Sequence, residues 1–202
     1  MTKLTASALV NTQRTVQSYE GFARQYDTLV ERRPPHIEDA LRRLVQCLPP
    51  GGSVLEIGSG PGRDADFVES LGAVVRRTDA AQAFLALMAE RGKKADLLNV
   101  MTDELDGPYD GVLAMAVLIH VDREQIDAVL GKIHAALKPG GAFLVAMRKG
   151  EGETSGDYHT VCWTGDRFTA RLAAAGLSVA WDAQSVGRDG NEWVTFLAKR
   201  SQ

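Results

Sequence analysis

The apolar positions of this chain follow one period near the start and a different pattern from residue 53 onward. Over residues 1–33 and again over 34–48, apolar side chains recur every three or four positions, as on one face of an amphipathic helix. Prolines at 34 and 35 suit the first turn of the second helix, and the run PPGG at 49–52 ends it. The pattern predicts two helices before the first strand.

From there, short apolar runs alternate with helical stretches. Strands are predicted at 53–57, 73–77, 94–98, 111–116 and 142–147, and helices at 63–71, 81–91 and 123–137. Alternation of strands with helices of this length predicts a parallel sheet with helices on both faces.

The last part of the chain breaks this alternation. Two strand-like runs, 178–186 and 192–199, flank a turn that contains Asp189 and Gly190, a pair typical of hairpins. The predicted fold is therefore α/β and Rossmann-like, with a seven-stranded, mostly parallel sheet, an antiparallel C-terminal hairpin and a helical N-terminal cap. We predict the cap at residues 1–33 and the α/β domain at 34–202.

Composition and charge narrow the class of protein. Of the 202 residues, 45% are hydrophobic and 24% are charged, which is ordinary for a globular domain. A net charge of −3 gives no support for nucleic-acid binding, and no apolar run reaches the roughly 20 residues of a membrane span. Cys47 and Cys162 lie far apart without metal-ligand spacing, so we expect free thiols, no metal and a cytoplasmic location. A monomer and a homodimer both stay open.

The run VLEIGSGPG, residues 54–62, leads a strand into a loop with glycine at every second position. Glycine lets bare backbone approach a ligand because no Cβ obstructs it, and a helix start offers unpaired N–H groups. Dinucleotide-binding loops need a third glycine where this chain has Arg63. The Glu56 carboxylate would repel a pyrophosphate, and it suits a cationic or hydroxyl-bearing ligand instead.

The pattern E-x-G-x-G-x-G resembles motif I of the class I S-adenosylmethionine-dependent methyltransferases, and the resemblance extends from about residue 19 to the end of the chain. Within that family the chain is similar to small bacterial enzymes that tailor metabolites or peptides. The family's seven-stranded sheet has an antiparallel last strand, in agreement with the predicted hairpin. The resemblance implies S-adenosylmethionine as the cofactor. Its implied contacts in the glycine loop are Glu56, Gly58, Ser59, Gly60, Gly62 and Arg63.

Two later strand ends carry further implied cofactor contacts. Asp79, with Ala80 beside it, matches the acidic residue that binds the ribose hydroxyls, and a carboxylate can accept from both of them. Ala114 lies in the family's motif IV, near the methionine part of the cofactor.

Asp96 and Leu97 match the pair that contacts the adenine ring. The stretch 96–109 is a few residues longer than the family pattern, so Asn99 is an alternative to Asp96. Loop aspartates also bond local N–H groups, which is the non-functional interpretation of both Asp96 and Asp79.

An aromatic stripe lies on the N-terminal cap. Tyr19, Phe22, Tyr26 and Leu29 are three or four residues apart and share one helix face. The stripe predicts either a helix packed on the core or a lid. The lid interpretation rests on the resemblance, because a similar element ending in Tyr-Asp closes over the cofactor in that family. It makes Tyr19 and Tyr26 cofactor-binding residues.

Two regions are candidates for the chemistry. His120 follows the fourth strand, where the family often has a histidine facing the acceptor, and its ordinary pKa of about 6.5 suits a general base. The alternative is that His120 caps or packs beside the next helix. The loop at 148–163 offers Arg148, Tyr158 and Trp163 for substrate binding, or it is a solvated connection.

Together these features predict methyl transfer to an oxygen or nitrogen atom of a small-molecule acceptor, such as a natural product or a peptide carboxylate. Two alternatives stay open: a non-catalytic S-adenosylmethionine-binding protein and a nicotinamide-dependent oxidoreductase. Arg63 and the C-terminal hairpin argue against the oxidoreductase.

Overall fold

The computed structural model of this protein describes residues 4–30 and 32–201. Residues 1–3 and 31 of the predicted cap lie outside the described residues. The helices are α1 (Ala6–Leu29), α2 (Pro35–Gln46), α3 (Arg63–Ser70), α4 (Gln82–Glu90), α5 (Ile126–Ala136) and α6 (Gly165–Ala174). The strands are β1 (Ser53–Ile57), β2 (Val74–Asp79), β3 (Asp96–Leu97), β4 (Tyr109–Met115), β5 (Leu137–Arg148), β6 (Glu153–Ser155), β7 (His159–Val161), β8 (Leu177–Val186) and β9 (Glu192–Arg200).

Seven of these strands form one sheet in the order β3-β2-β1-β4-β5-β9-β8. Strands β1 to β5 pair in parallel, and β9 runs antiparallel to both β5 and β8. The predicted fold class is confirmed, including the antiparallel hairpin. The strand order reverses between β1 and β4, and open α/β sheets bind ligands at the carboxyl ends of strands beside such a switch point.

Helices cover both faces of the sheet. Leu55 and Ile57 of β1 pack in the core that α5 and α6 cover, whereas Val54 packs on the opposite face with α2 and α3. Successive side chains of a strand point to opposite faces, so Glu56 lies on the same face as Val54. Burial on both faces explains why the central strands are nearly continuous apolar runs.

The structure contains two features that the sequence pattern did not predict. Helix α6 begins after Thr164, whose hydroxyl accepts from the Arg167 N–H, and it buries Phe168 and Leu172. An N-cap threonine and an apolar pair four residues apart were therefore usable signals. Within the predicted loop at 148–163, β6 and β7 form an antiparallel hairpin. Its strands have three residues each, too few for a periodic signal.

Helix α1 lies across the carboxyl ends of the strands and packs on α4 and β7. The Glu20 carboxylate accepts the N–H groups of Gln82 and Ala83 at 2.6 and 2.8 Å. These two hydrogen bonds cap α4, because the N-cap residue of α4, Ala81, provides no side-chain acceptor. None of the helices in the described part of the chain combines the length and hydropathy that a membrane span requires.

Candidate active site

A cavity lies under α1 at the carboxyl ends of β1, β2 and β4. Several predicted site residues line it together: Tyr19, Tyr26, Gly58, Gly60, Asp79, Ala80 and His120. Apolar side chains from four segments complete the walls, including Val16, Phe84, Val100, Met115 and Val117. The sheet thus brings residues 101 positions apart in the chain, such as Tyr19 and His120, into one site.

The glycine loop forms the edge of this cavity. Gly58 and Gly60 have φ angles of 64° and 53°, in the left-handed region that favours glycine. A Cβ on Gly58 would lie 2.5 Å from Cγ2 of Val117, so the loop packs directly against the turn after β4. A Cβ on Gly60 would lie 3.6 Å from a ring carbon of Tyr26. The bare backbone therefore faces the cavity and the covering helix.

Asp79 ends β2 and is buried in the cavity wall. Its two carboxylate oxygens accept the N–H groups of Gly60 at 2.8 Å and Ala81 at 2.9 Å. Burial raises the pKa of Asp79 to about 6. Each oxygen keeps a second lone pair, so the carboxylate can still accept from the two hydroxyls of a ribose.

Glu56 precedes the glycine loop, Ser59 lies within it and Arg63 follows it, and none of the three lines the cavity. Burial, with a smaller repulsion from Asp64, raises the pKa of Glu56 to about 8. The Ser59 hydroxyl accepts the Thr78 N–H at 3.2 Å and ties the loop to β2.

The Arg63 guanidinium donates to Asp27 of α1 from Nε at 2.9 Å and from Nη2 at 2.6 Å. Arg63 therefore connects the start of α3 to the covering helix. The third glycine, Gly62, is the N-cap residue of α3 with φ of 78°, and it also does not line the cavity.

The predicted adenine contacts Asp96 and Leu97 do not line the cavity. The Asp96 carboxylate accepts from Nε of Arg76 at 2.8 Å, and Leu97 is 55% exposed. Strand β3 has only two residues, and the chain turns into the cavity just after it, at Leu98 to Met101. Of the two residues that the sequence left open, Asn99 is the one in the cavity wall.

Asn99 is held by its neighbours. Its Oδ1 accepts the Met101 N–H at 3.0 Å, and its Nδ2 donates to the Thr12 hydroxyl at 3.3 Å. On β4, the predicted contact Ala114 is buried in the core, and the next two residues, Met115 and Ala116, reach the cavity instead.

His120 is fixed by bonds to both ring nitrogens. Its Nδ1 lies 2.7 Å from the His159 carbonyl oxygen, which only accepts, so Nδ1 carries the proton. Nε2 then has a free lone pair and accepts from the Tyr19 hydroxyl at 3.1 Å. Burial lowers the pKa of His120, and the neutral ring is favoured at pH 7. Burial also raises the pKa of Tyr19, which keeps its hydroxyl protonated.

Of the three predicted substrate residues, the structure brings one close to side chains of the cavity wall. The Tyr158 ring centroid lies 4.8 Å from that of Tyr19 and 6.1 Å from that of His120. Trp163 is a core residue instead, 2% exposed and packed on Phe168. Its ring belongs to the part of the core that α6 covers. Because the sequence pattern did not predict α6, it also could not predict that Trp163 is a core residue.

Arg148 also does not line the cavity. Its guanidinium lies 3.9 Å from the carboxylate of Asp189 in the turn between β8 and β9. The last residues of β5 pair with the start of β9, and this pairing directs Arg148 toward the hairpin. Among the residues that sequence reasoning did not assign to the site, Thr12, Thr15 and Val117 line the cavity, and the carbonyl of His159 bonds His120. None of them belongs to a motif or a periodic pattern that singles it out.

Fold and site together define a class of protein: an open α/β sheet with a ligand-sized cavity between a glycine loop and a strand-end carboxylate. A family model described as a methyltransferase domain matches residues 29–180. The chain belongs to this family, and it is an S-adenosylmethionine-dependent methyltransferase. The residues fit that cofactor, because the cavity offers a bare glycine edge, a carboxylate with spare lone pairs and an amide side chain.

Solved structures share the fold at low sequence identity. The 1,6-didemethyltoxoflavin N1-methyltransferase of Burkholderia thailandensis, with bound 1,6-didemethyltoxoflavin and S-adenosylhomocysteine, is 17% identical with a TM-score of 0.81, and the match covers 100% of this chain and 94% of that one. Magnesium protoporphyrin IX methyltransferase of Synechocystis PCC 6803 with bound S-adenosylmethionine is 17% identical with a TM-score of 0.75, covering 98% and 100%.

The [4+2]-cyclase SpnF is 16% identical with a TM-score of 0.74, covering 95% of this chain and 96% of its own. Enzymes with different reactions thus share this architecture, so the acceptor must be inferred from the site itself. No curated protein sequence matches this chain.

Proposed function

We propose that this protein transfers a methyl group to a neutral hydroxyl or nitrogen atom of a small-molecule acceptor, with His120 as the general base. The observation that carries the proposal is the bond from Nδ1 of His120 to the His159 carbonyl, which leaves Nε2 basic at the cavity wall. The 1,6-didemethyltoxoflavin N1-methyltransferase named above likewise has a small molecule, 1,6-didemethyltoxoflavin, bound.

The residues that would hold the cofactor follow from the cavity wall. Asp79 would accept from the ribose hydroxyls, Asn99 and its neighbours would contact the adenine, and Gly58, Gly60 and Ala116 would border the methionine part. The cofactor supplies an electrophilic methyl group on a sulfonium. The remaining tasks of the protein are to exclude water, to align the acceptor and to remove its proton.

The charge of the cavity supports a neutral acceptor. Among the described residues that line it there is no lysine or arginine, and Asp79 adds a carboxylate. An anionic acceptor would lose its hydration there without gaining a counter-charge from a side chain of the cavity wall. The two basic residues at the start of the predicted loop at 148–163 make contacts outside the cavity. Arg148 lies near Asp189, and Lys149 donates to Gln184 at 2.9 Å. A peptide carboxylate is therefore a poorer acceptor than a phenol or a ring N–H.

The position of Tyr19 supports the base. Its hydroxyl donates to the Nε2 lone pair of His120 at 3.1 Å. An acceptor hydroxyl that replaces it would place its own proton on the same nitrogen. Because burial lowers the pKa of His120, the ring is ready to take that proton at neutral pH.

The test begins with a panel of phenols, N-heterocycles and carboxylic acids of similar size, incubated with isotopically methyl-labelled S-adenosylmethionine and read by mass spectrometry. We expect labelled product from the neutral acceptors and none from the acids. With a hydroxyl acceptor, His120→Ala should lower turnover by about 10²–10⁴-fold and leave the affinity for S-adenosylhomocysteine within about twofold. His36→Ala, at an exposed histidine of α2, is the matched control. Unchanged turnover and an unchanged pH profile in His120→Ala would remove His120 from the mechanism.

A further inference from the structure

A polar cluster around one buried histidine lies next to His120 and outside the cavity lining. At its centre is His159 of β7, 2% exposed. Its Nδ1 lies 3.1 Å from the hydroxyl of Ser155. Its Nε2 lies 3.6 Å from Oδ1 of Asp122 and 3.6 Å from Oε2 of Glu153. Two carboxylates thus approach one edge of a buried imidazole.

The charges around Nε2 determine where the ring carries a proton. A lone pair on Nε2 would face two anionic oxygens, whereas an N–H there is attracted by both. Nε of Arg123 donates to Oε1 of Glu153 at 3.1 Å and balances its negative charge. The negative charge of Asp122 therefore depends more on His159 for compensation than that of Glu153 does. Within the described residues, Oδ2 of Asp122 has no hydrogen-bond partner. Removing the imidazole would leave that half-buried carboxylate with less compensation for its charge.

The backbone of His159 joins three segments that meet at the site. Its N–H donates to the Thr15 hydroxyl of α1 at 3.1 Å, and its carbonyl accepts Nδ1–H of His120 at 2.7 Å. Asp122 follows the turn that carries His120, and its Oδ1 accepts from Nδ2 of Asn11 on α1 at 2.8 Å. Hydrogen bonds of the cluster therefore connect β7, α1 and the turn after β4.

We propose that His159 is a positioning residue for His120. The hydrogen bond of its ring to Ser155 and the attraction of its Nε2–H to the nearby carboxylates of Asp122 and Glu153 hold β7 so that its carbonyl accepts from Nδ1 of His120. That carbonyl selects the tautomer with a proton on Nδ1, and Nε2 is then the basic nitrogen at the cavity. This role rests on the proposed function of His120 as the base, and it is measurable separately because the tautomer of a ring does not depend on the acceptor.

The direct measurement is the tautomer of His120 by nitrogen-15 NMR of histidine-labelled protein. The chain has 4 histidines, so the ring signals can be assigned from single substitutions. In the parent protein we expect a protonated Nδ1 and a bare Nε2 on His120. In His159→Phe we expect the two nitrogen shifts to converge, as in a ring that exchanges between tautomers. Turnover with a hydroxyl acceptor should fall about 10–100-fold, as for other outer partners of functional histidines, with KM for S-adenosylmethionine unchanged.

A conservative variant separates positioning from simple packing. His159→Gln keeps an N–H donor near Asp122, so we expect it to restore the His120 tautomer and most of the turnover. His36→Gln, at an exposed site, should change neither quantity. If His159→Phe does not fold, Asp122→Asn removes the charge that holds the ring and should shift the tautomer in the same direction.

The pH profile is the second readout. The ionisable groups that face His120 are Tyr19, Tyr158 and His159, and those that face His159 are Asp122 and Glu153. A mixed tautomer should move the acid limb of the turnover profile, whereas lost packing alone would lower turnover at every pH. An unchanged His120 tautomer together with an unchanged acid limb in His159→Phe would overturn the positioning role. Failure of the proposed base would instead appear as full turnover in His120→Ala.

Discussion

The hydroxyl oxygen of Tyr19 lies 3.1 Å from Nε2 of His120, so the helix that covers the cavity contacts the nitrogen that we propose as the base. Tyr19 also packs against the rings of Tyr26, Phe84 and Tyr158, with centroids 4.8 to 5.9 Å away. The position of α1 and the protonation of His120 are therefore coupled. Helix α1 thus influences the chemistry at His120 in addition to covering the cavity.

This coupling predicts the direction of a pKa change. A hydroxyl that donates to Nε2 stabilises the neutral ring of His120, so Tyr19→Phe should raise the pKa of His120 toward its ordinary value. The acid limb of the turnover profile should then move to higher pH. An NMR titration of the His120 ring measures the effect, and Tyr109→Phe, whose hydroxyl bonds Arg76 outside the cavity, is the control. A midpoint that stays fixed or falls would contradict the bond.

Asp79 should determine cofactor affinity. Asp79→Asn replaces one carboxylate oxygen with an NH₂ group that faces the N–H of Gly60 or Ala81, and it removes lone pairs that the ribose would use. We expect weaker binding of S-adenosylhomocysteine by about 1–3 kcal/mol, measured by calorimetry. Asp110→Asn is matched, since Asp110 also accepts a backbone N–H, from Ser53 at the other end of β1. Equal affinities in the two variants would place the ribose elsewhere.

The affinity for the cofactor should also depend on pH through the same group. Burial raises the pKa of Asp79 to about 6. Below that pH the carboxyl is protonated and loses acceptor capacity, so affinity for S-adenosylhomocysteine should fall as the pH drops through 6 and level off above it. In Asp79→Asn this dependence should disappear. Titrations between pH 5 and 8 on both proteins measure it.

Substitutions of Asn99 and Asp96 should have different effects on cofactor affinity. Asn99 lies in the cavity wall, whereas Asp96 is paired with Arg76 outside it. We expect Asn99→Ala to weaken binding of S-adenosylhomocysteine by about 1 kcal/mol, the usual value of one hydrogen bond, and Asp96→Asn to leave it within about twofold. The reverse order would restore Asp96 as the adenine contact. Thermal unfolding of both variants checks that the fold is intact.

The ion pair between Asp27 and Arg63 should hold α1 closed. Arg63→Gln removes a partly buried pair worth about 0.2–1 kcal/mol, so cleavage within α1 by a protease should become up to about fivefold faster without cofactor. Arg43→Gln removes the exposed pair with Asp39 on α2 and serves as the control.

S-Adenosylhomocysteine should protect α1 in the parent protein if the helix orders over the cofactor. Equal cleavage with and without the ligand would leave α1 a plain packing helix.

Local patterns were sufficient for most of the fold. The alternating strands and helices, the glycine loop and the Asp189–Gly190 turn each depend on residues close together in the chain, and the sheet has the predicted order of parallel and antiparallel strands. Helix α6 was missed although Thr164 and the Phe168–Leu172 pair signal it. The β6–β7 hairpin is too short for any periodic signal, and its pairing is supported by contacts with α1.

The sequence by itself determined that the glycine loop and Asp79 stand at strand ends, because both follow directly from strands whose ends are set by local apolar runs. Only the tertiary structure decided the side-chain partners. Whether Asp96 or Asn99 faces the cavity depends on the residue at which the two-residue strand β3 ends. The tautomer of His120 depends on a carbonyl 39 residues away and a hydroxyl 101 residues away. Hydrogen bonds of this kind form between segments that share no sequence window, so their geometry exists only after the sheet and α1 have packed.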